Sequence, residues 1–287
     1  MERIYRSIFI SDIHLGSRGC KADLLCDFLK HNTADNLYLV GDIIDGWRLQ
    51  KKWYWPQSHS NVIRRILTAA KRGTSVYYIV GNHDEALRKW MHWVPVLGNV
   101  EISNRRDHIG ADGKKYLVVH GDMFDSLMQV SSGKWLMHIG DKLYDIIIDL
   151  NDIWARIRAR LGLHYWSMSH WIKHRTKQAV AYILSFERLL ADYCHKKGYD
   201  GIICGHIHTA EIRDIDGVVY MNDGDWVESC TALVEHWDGR WEIVTWTGER
   251  GGGMDIDNHS GSRKRSKGST SDADYDVSNG AAVSTGS

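Results

Sequence analysis

"SVYYIVGNHD", residues 75–84, decides how this chain folds. The run "SVYYIVGN" (75–82) is short, aromatic and β-branched, which predicts a strand. Its apolar part stops in Gly81, Asn82, His83 and Asp84. A plain turn needs Gly81 and either Asn82 or Asp84, and has no use for a histidine. Working outward, "SIFIS" (7–11) and "LYLVGD" (37–42) are also strand-like. "ADLLCDFLK" (22–30) and "SNVIRRILTAAKRG" (60–73) carry helical spacing. Alternation of this kind predicts an α/β fold with parallel βαβ units. Three Asp-Gly pairs, at 112–113, 216–217 and 238–239, lie between strand-like runs and predict antiparallel hairpins. Two mixed β-sheets packed as a sandwich, with helices outside, satisfy both patterns.

The abrupt ending recurs. "SDIH" (11–14), "GDIID" (41–45), "GNHD" (81–84), "HGD" (120–122) and "GHIH" (205–208) all follow apolar runs. Loops at the carboxyl ends of strands form the ligand crevice of an α/β sheet. These endings therefore gather Asp12, His14, Asp42, Asn82, His120, His206 and His208 in one place. So many polar groups together are costly unless something satisfies them, and a divalent metal does so. Carboxylate, imidazole and amide oxygen suit manganese, zinc or iron better than calcium or magnesium. Seven ligand groups exceed what one ion that also holds water needs, and match two ions sharing a carboxylate. Each motif alone is weak: a lone D-x-H is usually a turn. Their joint occurrence in this order is what carries the reading.

Composition bounds the rest. Of 287 residues, 43% are hydrophobic, enough for a substantial core, and Lys+Arg and Asp+Glu balance at 36 each. Balanced charge gives no overall field that would attract nucleic acid. Five cysteines with no C-x-x-C pair read as reduced thiols of a cytoplasmic protein. The N-terminus reads as a first strand rather than a signal peptide.

The segment from about 123 to 186 differs in character and reads as long helices inserted between strands. No acidic residue occurs between Asp152 and Glu187, while Arg156, Arg158, Arg160, Lys173, Arg175 and Lys177 are interleaved with Trp154, Trp166 and Trp171. Either a solvated basic helix face or a functional basic-aromatic surface fits this pattern. In the second case, Arg156, Arg158, Arg160, Trp154 and Trp166 are the candidate substrate contacts, and an anionic membrane surface is a candidate partner. Residues 250–287 are Gly-, Ser- and Asp-rich and predict a disordered tail after a single domain over 1–249.

The ordered set D-x-H, G-D, G-N-H-D, H-G-D and G-H-x-H resembles the calcineurin-like metallophosphoesterase superfamily. The resemblance implies an αββα sandwich and a dinuclear site, with manganese foremost. It implies Asp12, His14 and His208 on one ion, Asn82, His120 and His206 on the other, and Asp42 between them. It implies that His83 is not a ligand but a proton donor to the leaving oxygen, with Asp84 holding its other ring nitrogen. Within the superfamily, "SDIHLGSRGC", "LVGDIIDGW", the helical insertion after "VVHGD" and "YMNDGDWVESCTALVEH" (220–236) resemble the UDP-2,3-diacylglucosamine pyrophosphatase branch. That branch implies a nucleotide-linked lipid precursor as substrate, at the cytoplasmic face of the inner membrane. Its best-known members carry arginine where this chain has His83. A phosphodiesterase with no lipid substrate and a non-catalytic binding scaffold are the competing readings.

Overall fold

The computed structural model describes residues 4–90, 96–97, 99–125, 128 and 169–248. Two mixed sheets pack face to face, as the alternation and the Asp-Gly pairs predict. The larger has seven strands in the order β12-β11-β1-β2-β3-β5-β4, and the smaller has five, β6-β7-β8-β10-β9. In the larger, β1 (Tyr5–Ile10), β2 (Ala34–Val40), β3 (Ser75–Ile79) and β5 (Val100–Ser103) run parallel. Helices α1 (Ala22–His31) and α3 (Gln57–Lys71) make the first two crossovers, and the short α2 (Gly46–Lys51) precedes α3. The antiparallel members of this sheet are β4 (Val96–Leu97), β11 (Thr231–Glu235) and β12 (Trp241–Thr245).

In the smaller sheet, β7 (Lys115–Val119), β8 (Gly201–Cys204) and β10 (Val218–Asn222) are parallel, flanked by antiparallel β6 (Arg105–Ile109) and β9 (Glu211–Ile215). Helix α4 (Glu85–Trp90) follows β3, and α5 (Ser169–Lys197) covers the smaller sheet. All three Asp-Gly pairs turn hairpins: β6–β7, β9–β10 and β11–β12. At Asp216 and Gly217 both φ values are positive, 53° and 85°, as a tight two-residue turn requires.

Period-two alternation assigns each strand's side chains to a layer. Phe9, Tyr38, Val40, Tyr116, Val118, Ile203, Met221 and Leu233 fill the space between the sheets. Their neighbours Ile8, Ile10, Leu37 and Leu39 face the other way and pack with Leu25, Phe28, Val62 and Ile66 of α1 and α3. Leu117, Val119, Ile202 and Cys204 likewise pack with Phe186, Leu190 and Cys194 of α5. The layers are helix, sheet, sheet, helix.

The third strand ends at Ile79 rather than running to 82. Beyond it, the Gly81 and His83 amides leave the ladder and donate to carboxylates of Asp84 (3.4 Å) and Asp42 (2.9 Å). The Arg and Trp candidates at 154–166 and the tail at 250–287 lie outside the described residues. All five cysteines are unpaired thiols. Among the described residues, no helix is long and apolar enough to cross a membrane.

A buried polar bridge ties β11 to both sheets. The Glu235 carboxylate is fully buried. It accepts from Arg6 Nη1 (2.6 Å), Ser7 Oγ (2.7 Å) and the Ala111 amide (2.7 Å), and lies 3.0 Å from His108 Nε2. Burial works against the charge, but the bonds from His108, Ala111 and Arg6 hold its pKa down at about 2. A depressed folded-state pKa stabilises above the unfolded value near 4.5 and is lost as pH falls towards 2. Glu235→Ala should therefore cost about 3 kcal/mol or more in urea denaturation at pH 7. The gap from wild type should narrow as pH falls through that window.

Candidate metal centre

The five motif-bearing loops leave β1, β2, β3, β7 and β8 at their carboxyl ends and meet at one rim of the sandwich. To aim side chains back at a common point, the backbone turns sharply. Asp12, His14, Asp42, His206 and His208 have φ of 48°, 52°, 54°, 70° and 52°. Left-handed backbone is uncommon outside glycine, and such residues cluster at functional sites. Two neighbouring glycines are required by close approach. A Cβ on Gly81 would sit 2.2 Å from Asp42 Oδ1, and one on Gly205 would sit 2.2 Å from Ser11 Oγ and 2.5 Å from Asp12 Oδ2.

The side chains converge. Asp12 is fully buried. Its Oδ2 accepts from Ser11 Oγ (2.6 Å) and the His206 amide (2.9 Å). Its Oδ1 faces His208 Nε2 at 3.0 Å and His14 Nε2 at 3.8 Å. Asp42 Oδ1 accepts from the His83 amide at 2.9 Å. Its Oδ2 stands 3.3 Å from His120 Nε2, 3.9 Å from His83 Nε2 and 4.0 Å from His14 Nε2. Asn82 Oδ1 is 3.2 Å from His120 Nε2. His206 lies against His120, ring centroids 5.1 Å apart, with its Nε2 2.9 Å from Asp125 Oδ2.

Two features show that these residues fit a cation. Asp12 Oδ1 and His14 Nε2 are buried atoms that make no hydrogen bond, both at the centre of the array. The second is at His120. Its Nδ1 lies 2.9 Å from the Val40 carbonyl, which can only accept, so Nδ1 carries the proton. A neutral His120 then turns its Nε2 lone pair towards Asp42 Oδ2 and Asn82 Oδ1, an arrangement that calls for positive charge between them. Among the described residues, clusters of ligand atoms within 4.8 Å of one another occur at Asp12, His14 and His208, at His14, Asp42 and His83, and at Asp12, Asp42 and His120. Electrostatics agree. Burial opposes charge, yet contacts with Asp12 and Asp45 push His14 up to about 10. The Asp42 carboxylate lifts His120 well above the usual histidine range against the same burial. A field that raises imidazole pKa values in this way also favours a bound cation.

The contact expected between Asp84 and His83 is not present. Asp84 turns the opposite way, accepting from the Ile43 amide (3.1 Å), the Ile44 amide (2.8 Å) and Tyr78 Oη (2.8 Å). Burial and the nearby Asp42 raise its pKa to about 6. It cross-links the GNHD and GDIID loops. Asp45 takes the expected place instead, with Oδ1 3.0 Å from His83 Nδ1 and Oδ2 3.4 Å from His14 Nδ1. Asp45 also caps α2, accepting from the Arg48 amide at 2.9 Å. The indole of Trp47 covers His83, ring centroids 4.3 Å apart. The sequence reading assigns Asp42 alone from "GDIID". The second acid of D-x-x-D, at the start of a helix that packs on the site, was the available signal for Asp45. Ser11 and Asp125 carried none beyond adjacency to a motif.

Strand order, loop positions and ligand geometry together describe a metallophosphoesterase. The calcineurin-like phosphoesterase family profile matches residues 5–210, and the chain belongs to that family. It is a metal-dependent phosphoester hydrolase. Similar proteins include the UDP-2,3-diacylglucosamine hydrolase of Blochmanniella pennsylvanica, 26% identical over 216 residues, covering 72% of this chain and 81% of that protein. The protein of the same name from Aeromonas salmonicida is 27% identical over 243 residues, covering 79% and 89%. Among solved structures, an archaeal phosphodiesterase aligns with 83% of this chain and 98% of its own at 12% identity and a TM-score of 0.40.

Asp42→Ala should bring bound metal towards zero per chain, and His14→Ala towards one, measured by elemental analysis after gel filtration. Undiminished metal in both variants would remove these residues from the centre. Asp45→Ala should retain metal but lower turnover by about tenfold or more, because the His83 ring loses the partner that orients it. The pH dependence of turnover should shift with it.

Proposed function

We propose that this chain hydrolyses a pyrophosphate or phosphodiester linkage in a nucleotide-linked lipid precursor, with two divalent ions, manganese foremost, at the strand-end centre. The observation that carries the chemistry is the pair of orphaned buried atoms, Asp12 Oδ1 and His14 Nε2, inside an array of carboxylates and imidazoles. The relatives named UDP-2,3-diacylglucosamine hydrolase support the substrate class. In the proposed assignment, Asp12, His14 and His208 hold one ion and Asn82, His120 and His206 the other, with Asp42 shared. When bound, such ions polarise the phosphoryl group and acidify water.

The protein's own groups do the rest. His83 keeps its Nδ1 against Asp45, which leaves Nε2 as the nitrogen able to give a proton to the leaving oxygen. Its main-chain amide bonds Asp42 Oδ1, so the proton donor and the shared ligand are held by one residue. Trp47 shields one side of the His83 ring and limits its rotation. In this reading the protein is cytoplasmic and meets the membrane at its cytoplasmic face, in keeping with relatives named for a diacylated substrate. The basic and tryptophan-rich stretch with Arg156, Arg158 and Arg160 is the proposed lipid-side surface. A second reading, a phosphodiesterase with no lipid substrate, draws support from His83, which replaces the arginine of the branch it resembles.

His83→Ala should lower turnover by roughly two to four orders of magnitude while metal stays bound. The loss should be smaller on an aryl phosphodiester, whose leaving group needs no proton. Substrate class is tested by assaying wild type and the Arg156, Arg158 and Arg160→Glu triple variant on UDP-2,3-diacylglucosamine and on a small aryl phosphodiester. The lipid reading expects the variant to lose only the diacyl activity. Failure of wild type to cleave the lipid while cleaving the aryl ester would give the second reading the field.

A further inference from the structure

Helix α5 reaches the metal centre from behind. Two of its side chains, one turn apart, connect it to His206, Phe186 directly and Tyr182 through Asp125. Phe186, fully buried, lays its ring 5.8 Å from that of His206. A Cβ on Gly121 would stand 2.9 Å from Phe186 Cζ and 3.2 Å from His206 Cβ, so the three are in close contact. Tyr182 stacks on Phe186 at 6.3 Å, and its hydroxyl donates to Asp125 Oδ1 at 3.0 Å. The other oxygen of that carboxylate, Oδ2, lies 2.9 Å from His206 Nε2.

A carboxylate accepts and cannot donate, so this contact places the His206 proton on Nε2 and leaves Nδ1 with its lone pair. Both oxygens of Asp125 are thus committed, one to the histidine and one to α5. Tyr182, Asp125 and His206 form a continuous hydrogen-bonded line from the helix covering the smaller sheet to a residue of the metal array.

We propose that Asp125 is a positioning residue which, held by Tyr182, fixes the tautomer and ring angle of His206 and thereby makes affinity for one of the two ions depend on the seating of α5. The proposal rests on the assignment of His206 to the ion shared with Asn82 and His120. Carboxylates behind ligating histidines are worth about 10- to 100-fold in metal affinity. The Tyr182 hydroxyl acts one bond further away and should be worth less. In sequence, the basic, tryptophan-rich stretch from Trp154 to Trp166 directly precedes α5, which begins at Ser169. A ligand that shifts α5 would therefore be felt at the metal.

The test compares wild type with Asp125→Ala, Asp125→Asn and Tyr182→Phe, titrating full-length protein with manganese by calorimetry. Wild type should take up two equivalents. Asp125→Ala should keep one at wild-type affinity and weaken the other about 10- to 100-fold. Tyr182→Phe should weaken the same equivalent by a smaller factor, and Asp125→Asn should fall between. Tyr199→Phe, which removes a hydroxyl bonded to Asp107 on the outside of the smaller sheet, should change neither equivalent. Nitrogen NMR of metal-free protein supplies a readout that a packing role would not move. The His206 signal should report the Nε2–H tautomer in wild type and lose it in Asp125→Ala. Two wild-type equivalents in Asp125→Ala, or an unchanged tautomer, would overturn the proposal and leave the metal assignment standing. No manganese binding by wild type would overturn both. Should Asp125→Ala fail to fold, Asp125→Asn and Tyr182→Phe, which barely alter volume, decide the matter alone.

Discussion

The structure depends on one electrostatic constraint: two buried carboxylates, Asp12 and Asp42, must share a small space with the imidazoles of His14, His120 and His208. Neither carboxylate reaches bulk water, since both are almost entirely buried. Their charge is balanced locally or not at all. The loops accordingly supply donors to the outer oxygen of each acid, from Ser11 and the His206 amide to Asp12 and from the His83 amide to Asp42. The inner oxygens are kept for the centre. That division of labour explains why glycines stand next to the ligands. A side chain at Gly81 or Gly205 would occupy the space through which a carboxylate reaches its donors.

The constraint has a conformational cost. Five of the candidate ligand residues sit in left-handed backbone, at about 1–3 kcal/mol each. Against a net stability of about 5–15 kcal/mol for a typical domain, loops this strained do not hold themselves. They are held because each leaves a strand whose last residues are buried on both faces. The sandwich core between the sheets and the two helical layers outside it fix where each loop begins. Asp84 completes the arrangement. Burying a carboxylate between two loops, with bonds to the Ile43 and Ile44 amides and Tyr78, locks GNHD against GDIID.

The convergence of the candidate ligands was legible in the sequence because each lies within four residues of a strand's end, where hydrophobic pattern and polar motif meet. The hairpins were legible for a related reason: Asp216-Gly217 states its turn chemistry locally. What failed to show was every contact that depends on where a loop points. Asp84 follows His83 in sequence and was expected to hold it, but the turn after Asn82 sends the two side chains to opposite sides. Asp45, 38 residues away, is the one that reaches the ring. Ser11 likewise meets Asp223 from a distance of 212 residues, bonding it at 2.6 Å. No local pattern encodes such pairs. They arise from the register of β2 beside β3 and from the packing of β1 against β10 of the other sheet, where Phe9 meets Met221, and only the folded sandwich defines these.

Asp45 shows what the fold gains from this. One buried carboxylate caps α2, faces His14 with one oxygen and holds His83 with the other. The residue that would carry a metal and the residue that would carry the proton are therefore referenced to the same two atoms. Loops are ordinarily the mobile parts of a protein, and a donor on an independent loop would wander relative to the ions. Here the helix start, His14 and His83 move together or not at all. Trp47, in the first turn of the same helix, closes the remaining freedom by lying across the His83 ring. Catalysis by positioning requires reacting groups held to within fractions of an ångström. A shared carboxylate at a helix N-terminus provides that tolerance without a rigid loop.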